Sequence, residues 1–505
     1  MPNLYIDLLR LICSFITDVA TVLSFSLTCY TLRHDAVARR LNMRPIYIRH
    51  GLRSLQDLQN FILVDEERRY PNIRVIDTSI NPSRAGEVDF VDSLLAMFES
   101  ASRLHTLSIL VAAWGGDWLP MGTLSGLAEV KSLRELCLVS PTSFANDLFG
   151  SLRSPLRTFR FDNTEQGPYL INPRINFRVP PQLTSTLQEV DLKFEFVVAA
   201  ANASIPLPAV RSVTLTNVFQ PFSLGILLTL FPNLDRTLIL HTYTRDREGC
   251  DNQDQLDALR RESKEAASTT RSWKAVDRVA GLSGPLYALG LICPIRHLTI
   301  SVACESDPRR IQASPDFARV CAIIEDCAPT HLALVDIGLL GQGLRILDDS
   351  LFLGDAAARL SHLVLVTRSQ NPIPLEPDLD EPSWNWTLTH LKQLKLLRLT
   401  HIRIIMTFSC STYDGASLSF DKFDCLLETL PCIIPSLTHI FVTSIGNVGE
   451  RSSWETSRAW RVRRDRRVRT PSATVEDDLE ELNADDGAAT MDREEMCTTK
   501  RVKWV

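Results

Sequence analysis

The chain has 505 residues, 45% of them hydrophobic and 23% charged, with a net charge of −6 at pH 7. These values are those of a folded soluble protein, and the charge gives no general attraction to nucleic acid or to an anionic membrane. The length is too great for one ordinary core unless the architecture grows by repetition.

The first element is the apolar stretch "LYIDLLRLICSFITDVATVLSFSLTCYTLRH", residues 4 to 34, interrupted by Asp7, Arg10 and Asp18. No basic head precedes it, and it falls short of the ~20 consecutive apolar residues of a spanning helix. Neither a secretory signal nor a membrane anchor is therefore expected. Leu4, Leu8, Leu11, Ile12, Phe15 and Ile16 recur at the spacing of one helical face. Thr17 and Asp18 offer side-chain oxygens to cap a second helix, which carries Val22, Leu23, Leu27 and Leu32, with Cys29 as a small buried filler. About 40 residues bury too little surface to be stable alone, so these helices pack on the rest of the chain or on a partner.

On these residues the segment resembles the F-box, the helical module that docks substrate receptors onto the Skp-type adaptor of cullin–RING ubiquitin ligases. Leu4 takes the family's first Leu, Asp7 its Glu, and Leu8 and Leu9 its Leu pair. Ile12 and Ile16 take the next apolar positions, Val22 and Leu23 the later Leu pair, and Ser26, Leu27 and Cys29 the closing pattern. Tyr5 stands where the family has Pro, and Thr21 where it has Asp. The resemblance implies adaptor docking, and through the adaptor a cullin, by Leu4, Leu8, Ile12, Ile16, Val22 and Leu23, with Asp7 adding polar contact. The following "LQNFILVDEERRYPNIRVIDTS" has the style of fungal F-box proteins, which implies a place in cytoplasm or nucleus. A helix pair that only caps a repeat array accounts for the same residues. The two readings part on whether Leu8, Ile12 and Leu23 face outward or inward.

Residues 1–44 thus form an F-box-like helical module, and 45–70 a connecting strand and helix. Beyond them one phrase, apolar-x-x-apolar-x-apolar, keeps returning. It begins at Ile73, Leu104, Leu133, Leu156, Leu187, Val210, Ile295, Leu360, Leu394 and Leu437, with imperfect copies near Leu234 and Leu332. Stretches of helical period lie between, among them "FVDSLLAMFES", "PDFARVCAIIEDC" and "FDCLLETL". A short strand and a helix repeated every 20 to 30-odd residues predict an α/β leucine-rich-repeat solenoid over 71–449, with parallel strands inside and helices outside. An ordinary α/β domain is the alternative. On the solenoid, Ser108, Arg160, Asp191, Thr214, Thr299 and Arg398 fall at concave positions suited to a target protein.

Residues 241–286 are expected to form a charged surface insertion, helical around "DQLDALRRESKEAA". The Pro- and acid-rich stretch 368–386 is expected to be a loop. From 450 to 505 an Arg-dense block meets an acid-dense one, and the expectation is a charged, largely disordered tail.

Chemistry is hard to find. Twelve cysteines are scattered singly with no CxxC, and no P-loop, HExxH, GxSxG or kinase phrase occurs. Neither catalysis, metal nor cofactor is expected. His297, His331, His362 and His439 each precede the second apolar residue of a phrase, so stacked strands would set them in a row. The row reads as an outward strand-edge position reused by duplication, or as a pH-sensitive or metal-binding strip. No acidic residue recurs beside it to orient a ring. The functional expectation is a substrate-recognition subunit of a ubiquitin ligase. A repeat scaffold without a ligase role is its rival.

Overall fold

The computed structural model describes residues 5–28, 30–43, 45–48, 56–58, 60–61, 73–80, 103–111, 130–140, 148–163, 179–193, 206–216, 221–241, 252–269, 272–302, 316–338, 357–369, 397–410, 424–448, 452–463 and 479–496, with 128, 197, 218 and 394 as isolated positions. The chain is mixed α/β and divides into two compact units. One is Met1–Asn217 with Thr229–Leu234, the other Val218–Leu228 with Asp235–Val505.

The first unit opens with three helices, α1 (Ile6–Phe15), α2 (Val19–Thr28) and α3 (Tyr30–Met43). The cap expected before α2 is present: Thr21 donates its backbone N–H to Asp18 Oδ2 at 2.7 Å, satisfying one donor the helix start leaves free. Cys13, Val22 and Ala36 make the buried centre of this triplet, with Ile16, Phe25 and Met43 packed against it. Seven strands follow: β1 (Ile46–Ile48), β2 (Val75–Ile80), β3 (Thr106–Val111), β4 (Glu135–Ser140), β5 (Thr158–Asn163), β6 (Glu189–Lys193) and β7 (Ser212–Thr216). Each pairs in parallel with its chain neighbours. The short α4 (Pro181–Thr184) begins with a proline, tolerated in a first turn where the N–H has no intrahelical partner.

The returning phrase explains these strands. Its first apolar residue enters the core two residues ahead of the strand, as Leu104, Leu133 and Leu156 do. Its second and third follow at strand alternation, as Leu107 with Ile109 and Phe159 with Phe161 do.

α5 (Leu224–Leu230) falls at the division of the units. The second unit contains β8 (Thr237–Leu240), α6 (Gln253–Thr269), β9 (Val276–Leu282), α7 (Ser283–Leu289), β10 (Ile295–Ser301), α8 (Asp316–Cys327), β11 (His331–Gly338), β12 (His362–Ser369), β13 (His401–Cys410), α9 (Asp424–Ile433), β14 (His439–Val448), β15 (Ser452–Val462), β16 (Leu479–Leu482) and α10 (Ala484–Arg493). From β8 to β14 neighbours run parallel; β15 and β16 are added antiparallel.

Several expectations are corrected here. The stretch 241–286 is no loose insertion, because it supplies β9 to the sheet and α6 to the core. Leu256, Ser263 and Ala267 of α6 are buried. Arg260 and Lys264 both hold Asp326 of α8, and Ser263 Oγ donates to Ala288 O at 2.9 Å. The phrase at Leu394 is out of register: the strand begins at His401, from the overlapping copy Leu399-x-x-Ile402-x-Ile404, and all three of these residues are buried. Arg398 is therefore exposed ahead of β13 and occupies no strand position. Within the expected tail 450–505, residues 452–463 and 479–496 are ordered into β15, β16 and α10 and pack; the rest lies outside the described residues. "FVDSLLAMFES" and residues 370–386 of the expected loop lie outside the described residues, while Arg368 and Ser369 belong to β12.

α10 decides how the second unit buries its sheet. Met491 and Met496 close a cluster with Ala333, Val335, Val364, Val366, Ile405, Phe441 and Ala459. Those strand residues lie on the face opposite to Leu332, Leu363, Ile402 and Ile440, which are themselves buried, so these strands are covered on both sides. Arg403, fully buried in the middle, donates to Thr443 Oγ1 at 3.0 and 3.2 Å and to Met496 O at 2.8 Å, and lies 3.9 Å from Glu455. Removing residues 479–505 is expected to destabilise the second unit by about 3–6 kcal/mol, the worth of two buried Met side chains. An unchanged urea midpoint in the truncated chain would contradict the packing of α10.

Candidate functional site

Two places gather the residues that the sequence singles out. The first is the outer face of α1 and α2. Leu8, Ile12 and Leu23 are 48%, 41% and 48% exposed, in the company of Tyr5, Ile6, Leu11, Phe15 and Leu27. Asp7 is exposed and pairs with Arg10 at 3.2 Å, and Arg10 also reaches Asp35. Val22, by contrast, is fully buried between Cys13 and Ala36, and Ile16 is half-buried against them. Val22 is thus corrected from a docking residue to a core residue: a ten-residue helix cannot show all its apolar positions to a partner and also pack on α1 and α3. Leu4 lies outside the described residues.

The concave candidates of the first unit are brought together by strand register. Asp77, Ser108, Cys137, Arg160, Asp191 and Thr214 stand side by side across β2 to β7. Burial pushes the Asp191 carboxyl up to about 6, with Arg160 pulling it down and Asp162 pushing it further up. Thr299 does not join them. It sits on β10 in the second unit, in a row continued by Ala333, Val364, Arg403 and Phe441, the row that α10 covers.

The second place is a ladder of five imidazoles. His297, His331, His362, His401 and His439 are register partners across β10 to β14. Their ring centroids follow at 4.2, 3.9, 4.4 and 4.9 Å, and the last three ring pairs lie within 10° of parallel. The outward strand-edge reading is corrected, since His297, His362 and His401 are buried. The residue ahead of each of the last four is Thr330, Ser361, Thr400 or Thr438. Each hydroxyl sits 2.8–3.1 Å from the Nδ1 of its own histidine. It also reaches the preceding strand's carbonyl: Thr330 to Arg296 O, Ser361 to Thr330 O, and Thr400 to Ser361 O. With Nδ1 engaged in this way, Nε2 is the ring atom left for another partner.

Besides Asp277 of β9, 3.8 Å from His297 Nδ1, the acids that meet the ladder are Glu494 and Glu495 at the end of α10, about 55 residues beyond the start of the last ladder strand. Glu494 Oε2 lies 3.4 Å from His362 Nε2, and Glu495 Oε2 lies 2.9 Å from His297 Nε2. Glu495 also pairs with Arg278 and Arg296, and Asp277 with Arg296. Ligand atoms of His362, His401 and Glu494 all fall within 4.8 Å of one another. Sequence reading missed His401, the hydroxyls and these glutamates. The Ser/Thr-His dipeptide was a usable signal for the first two; the glutamates had none.

Burial holds every ring below the imidazole value of 6.5. His331 and His401 lie at about 3, helped by neighbouring rings, and His297 at about 4, where Arg278 and Arg296 outweigh Glu495 and Asp277. His362 and His439 are lowered by burial against the pull of Glu494, with Arg461 and Arg493 adding to the effect at His439. The folded state therefore takes up protons less readily than the unfolded chain. The ladder's contribution is whole above pH 6.5 and is lost as pH falls toward 3. In chelator-containing buffer the urea midpoint should decline steadily from pH 6.5 to 4, and His331→Phe should flatten that decline. A midpoint independent of pH over this window would remove the ladder as its cause. Compared with protein-family models and with curated proteins, the chain matches none.

Proposed function

We propose that this chain is a substrate receptor of a cullin–RING ubiquitin ligase, carrying an F-box-like module ahead of a leucine-rich-repeat-type solenoid. The observation that carries this reading is the apolar outer face of α1 and α2, where eight large apolar side chains are exposed around a small closed centre of Cys13, Val22 and Ala36. A helix triplet that only capped a repeat array would turn Leu8, Ile12 and Leu23 inward. Exposed apolar side chains in this number mark a surface awaiting a partner, and the resemblance of residues 4 to 34 to the F-box names a Skp-type adaptor for it.

The parallel strands, each beside its chain neighbour, support the solenoid reading, and the polar row from Asp77 to Thr214 supplies a target-facing surface. Arg160 and Asp191 within that row offer charges of both signs. Such a receptor does no bond chemistry of its own. It holds a target lysine near a conjugating enzyme at an effective concentration of about a millimolar, as expected for short tethers. No disulfide joins the described cysteines, of which Cys13, Cys293 and Cys327 are buried, and this suits a cytoplasmic or nuclear setting.

The test is copurification of a Skp-type adaptor with the full chain and with Leu8→Asp/Ile12→Asp. Both side chains are half exposed, so the double variant should keep its helices and the protease resistance of its repeats. Two carboxylates at a dry interface cost several kcal/mol, which lowers adaptor affinity by more than about a hundredfold. Undiminished adaptor capture by the folded double variant would refute the docking face.

A further inference from the structure

We propose that His362, His401 and Glu494 form a binding site for a divalent first-row transition cation of zinc's class, which clasps the end of α10 to β12 and β13. The three residues come from two adjacent strands and from the residue that ends α10, and their ligand atoms lie within 4.8 Å of one another.

The His362–Glu494 distance favours a cation over a plain ion pair. Glu494 Oε2 stands 3.4 Å from His362 Nε2. That is longer than the ~2.7–2.9 Å of a charge-assisted hydrogen bond. It matches the edge of a tetrahedron whose centre lies ~2.1 Å from each ligand, about 3.4 Å. His401, whose ring is 4.4 Å from that of His362 and within 3° of parallel, completes the set by tilting about its outer torsion.

The shell behind the ligands is already built. Imidazoles that bind metal usually engage their other nitrogen in a hydrogen bond that fixes the ring. Ser361 Oγ does this for His362 at 2.8 Å and Thr400 Oγ1 for His401 at 2.9 Å, each hydroxyl held in turn by a backbone carbonyl. Both rings are buried, and burial keeps them neutral, the form in which imidazole donates its lone pair. Two cations beside the ladder are engaged by other acids: Arg278 by Glu495, and Arg296 by Glu495 and Asp277. Two imidazole nitrogens and one carboxylate oxygen suit zinc, cobalt or nickel better than calcium or magnesium. Three protein ligands leave a fourth position for water.

The experiment uses the full chain, stripped with a chelator and titrated with Co²⁺ and then Zn²⁺. One equivalent of Co²⁺ should give the visible band of a four- or five-coordinate nitrogen–oxygen site and be displaced by Zn²⁺. Glu494→Gln, at a half-buried position that leaves the strands untouched, should weaken Zn²⁺ binding tenfold or more. His401→Phe, which keeps the ring stack, should do the same, whereas His439→Phe lies outside the ligand set and should leave it unchanged. Zn²⁺ should also raise the urea midpoint of the parent chain and not that of Glu494→Gln. The proposal is overturned by equal Zn²⁺ affinity in the parent and Glu494→Gln chains, by absence of stoichiometric binding, or by a thiolate charge-transfer band that assigns the cation to cysteines.

Discussion

Parallel pairing of each strand with its chain neighbour is the constraint on which the rest of this structure depends. When each strand pairs in register with its chain neighbour, a residue at one phrase position is set beside its equivalent in the next strand, with about 4.8 Å between them. A side-chain type repeated at that position therefore becomes a row. Three apolar rows make the shared core, as Leu133, Leu136 and Leu138 do beside Leu156, Phe159 and Phe161. The same geometry turns five scattered histidines into a stack at van der Waals spacing, and four Ser/Thr residues into the hydrogen-bonded rail behind it.

The two units use the opposite sheet face differently. In the first, the positions between the core residues are polar, and Ser108, Arg160, Asp191 and Thr214 stay partly open. In the second they are mostly apolar, Thr299 and Arg403 apart, and Met491 and Met496 of the C-terminal segment cover them. A buried guanidinium in such a setting is costly unless its donors are satisfied. Arg403 satisfies them with Thr443 and with the carbonyl of Met496, so its burial depends on the same segment that buries Phe441. The end of that segment also brings Glu494 and Glu495 to the histidine ladder. Packing, charge satisfaction and the candidate cation site thus share one short stretch of chain.

The charge-dense C-terminal sequence misled because opposite-sign blocks were weighed by composition. Arg458 pairs with Glu481, and Arg461 and Arg463 with Glu480, so the two blocks form cross-strand ion pairs between β15 and β16. Such pairs contribute little stability singly, but they agree with the antiparallel register that places α10. At Leu394 the phrase was read one copy too early, because Leu397 and Leu399 complete it as well as Ile402 and Ile404 complete the next. Only lateral pairing of His401 with His362 and His439 distinguishes the two.

By itself the sequence determined the mixed α/β class, most strands from β2 to β14, the amphipathic helices α1 and α2 with the Asp18 cap of the second, and the apolar residues at their faces; Leu32, expected on the second helix, lies on the separate α3. These follow from periodicity and capping, which are local properties. Only tertiary structure decided that Val22 turns inward while Leu23 turns out, that β9 and α6 belong to the core, and that α10 covers the sheet face of the second unit. It alone brought Glu494 to His362 across 132 residues. Contacts so distant in sequence leave no periodic trace, because they are selected by which buried surface and which charge remain uncovered once the strands have paired.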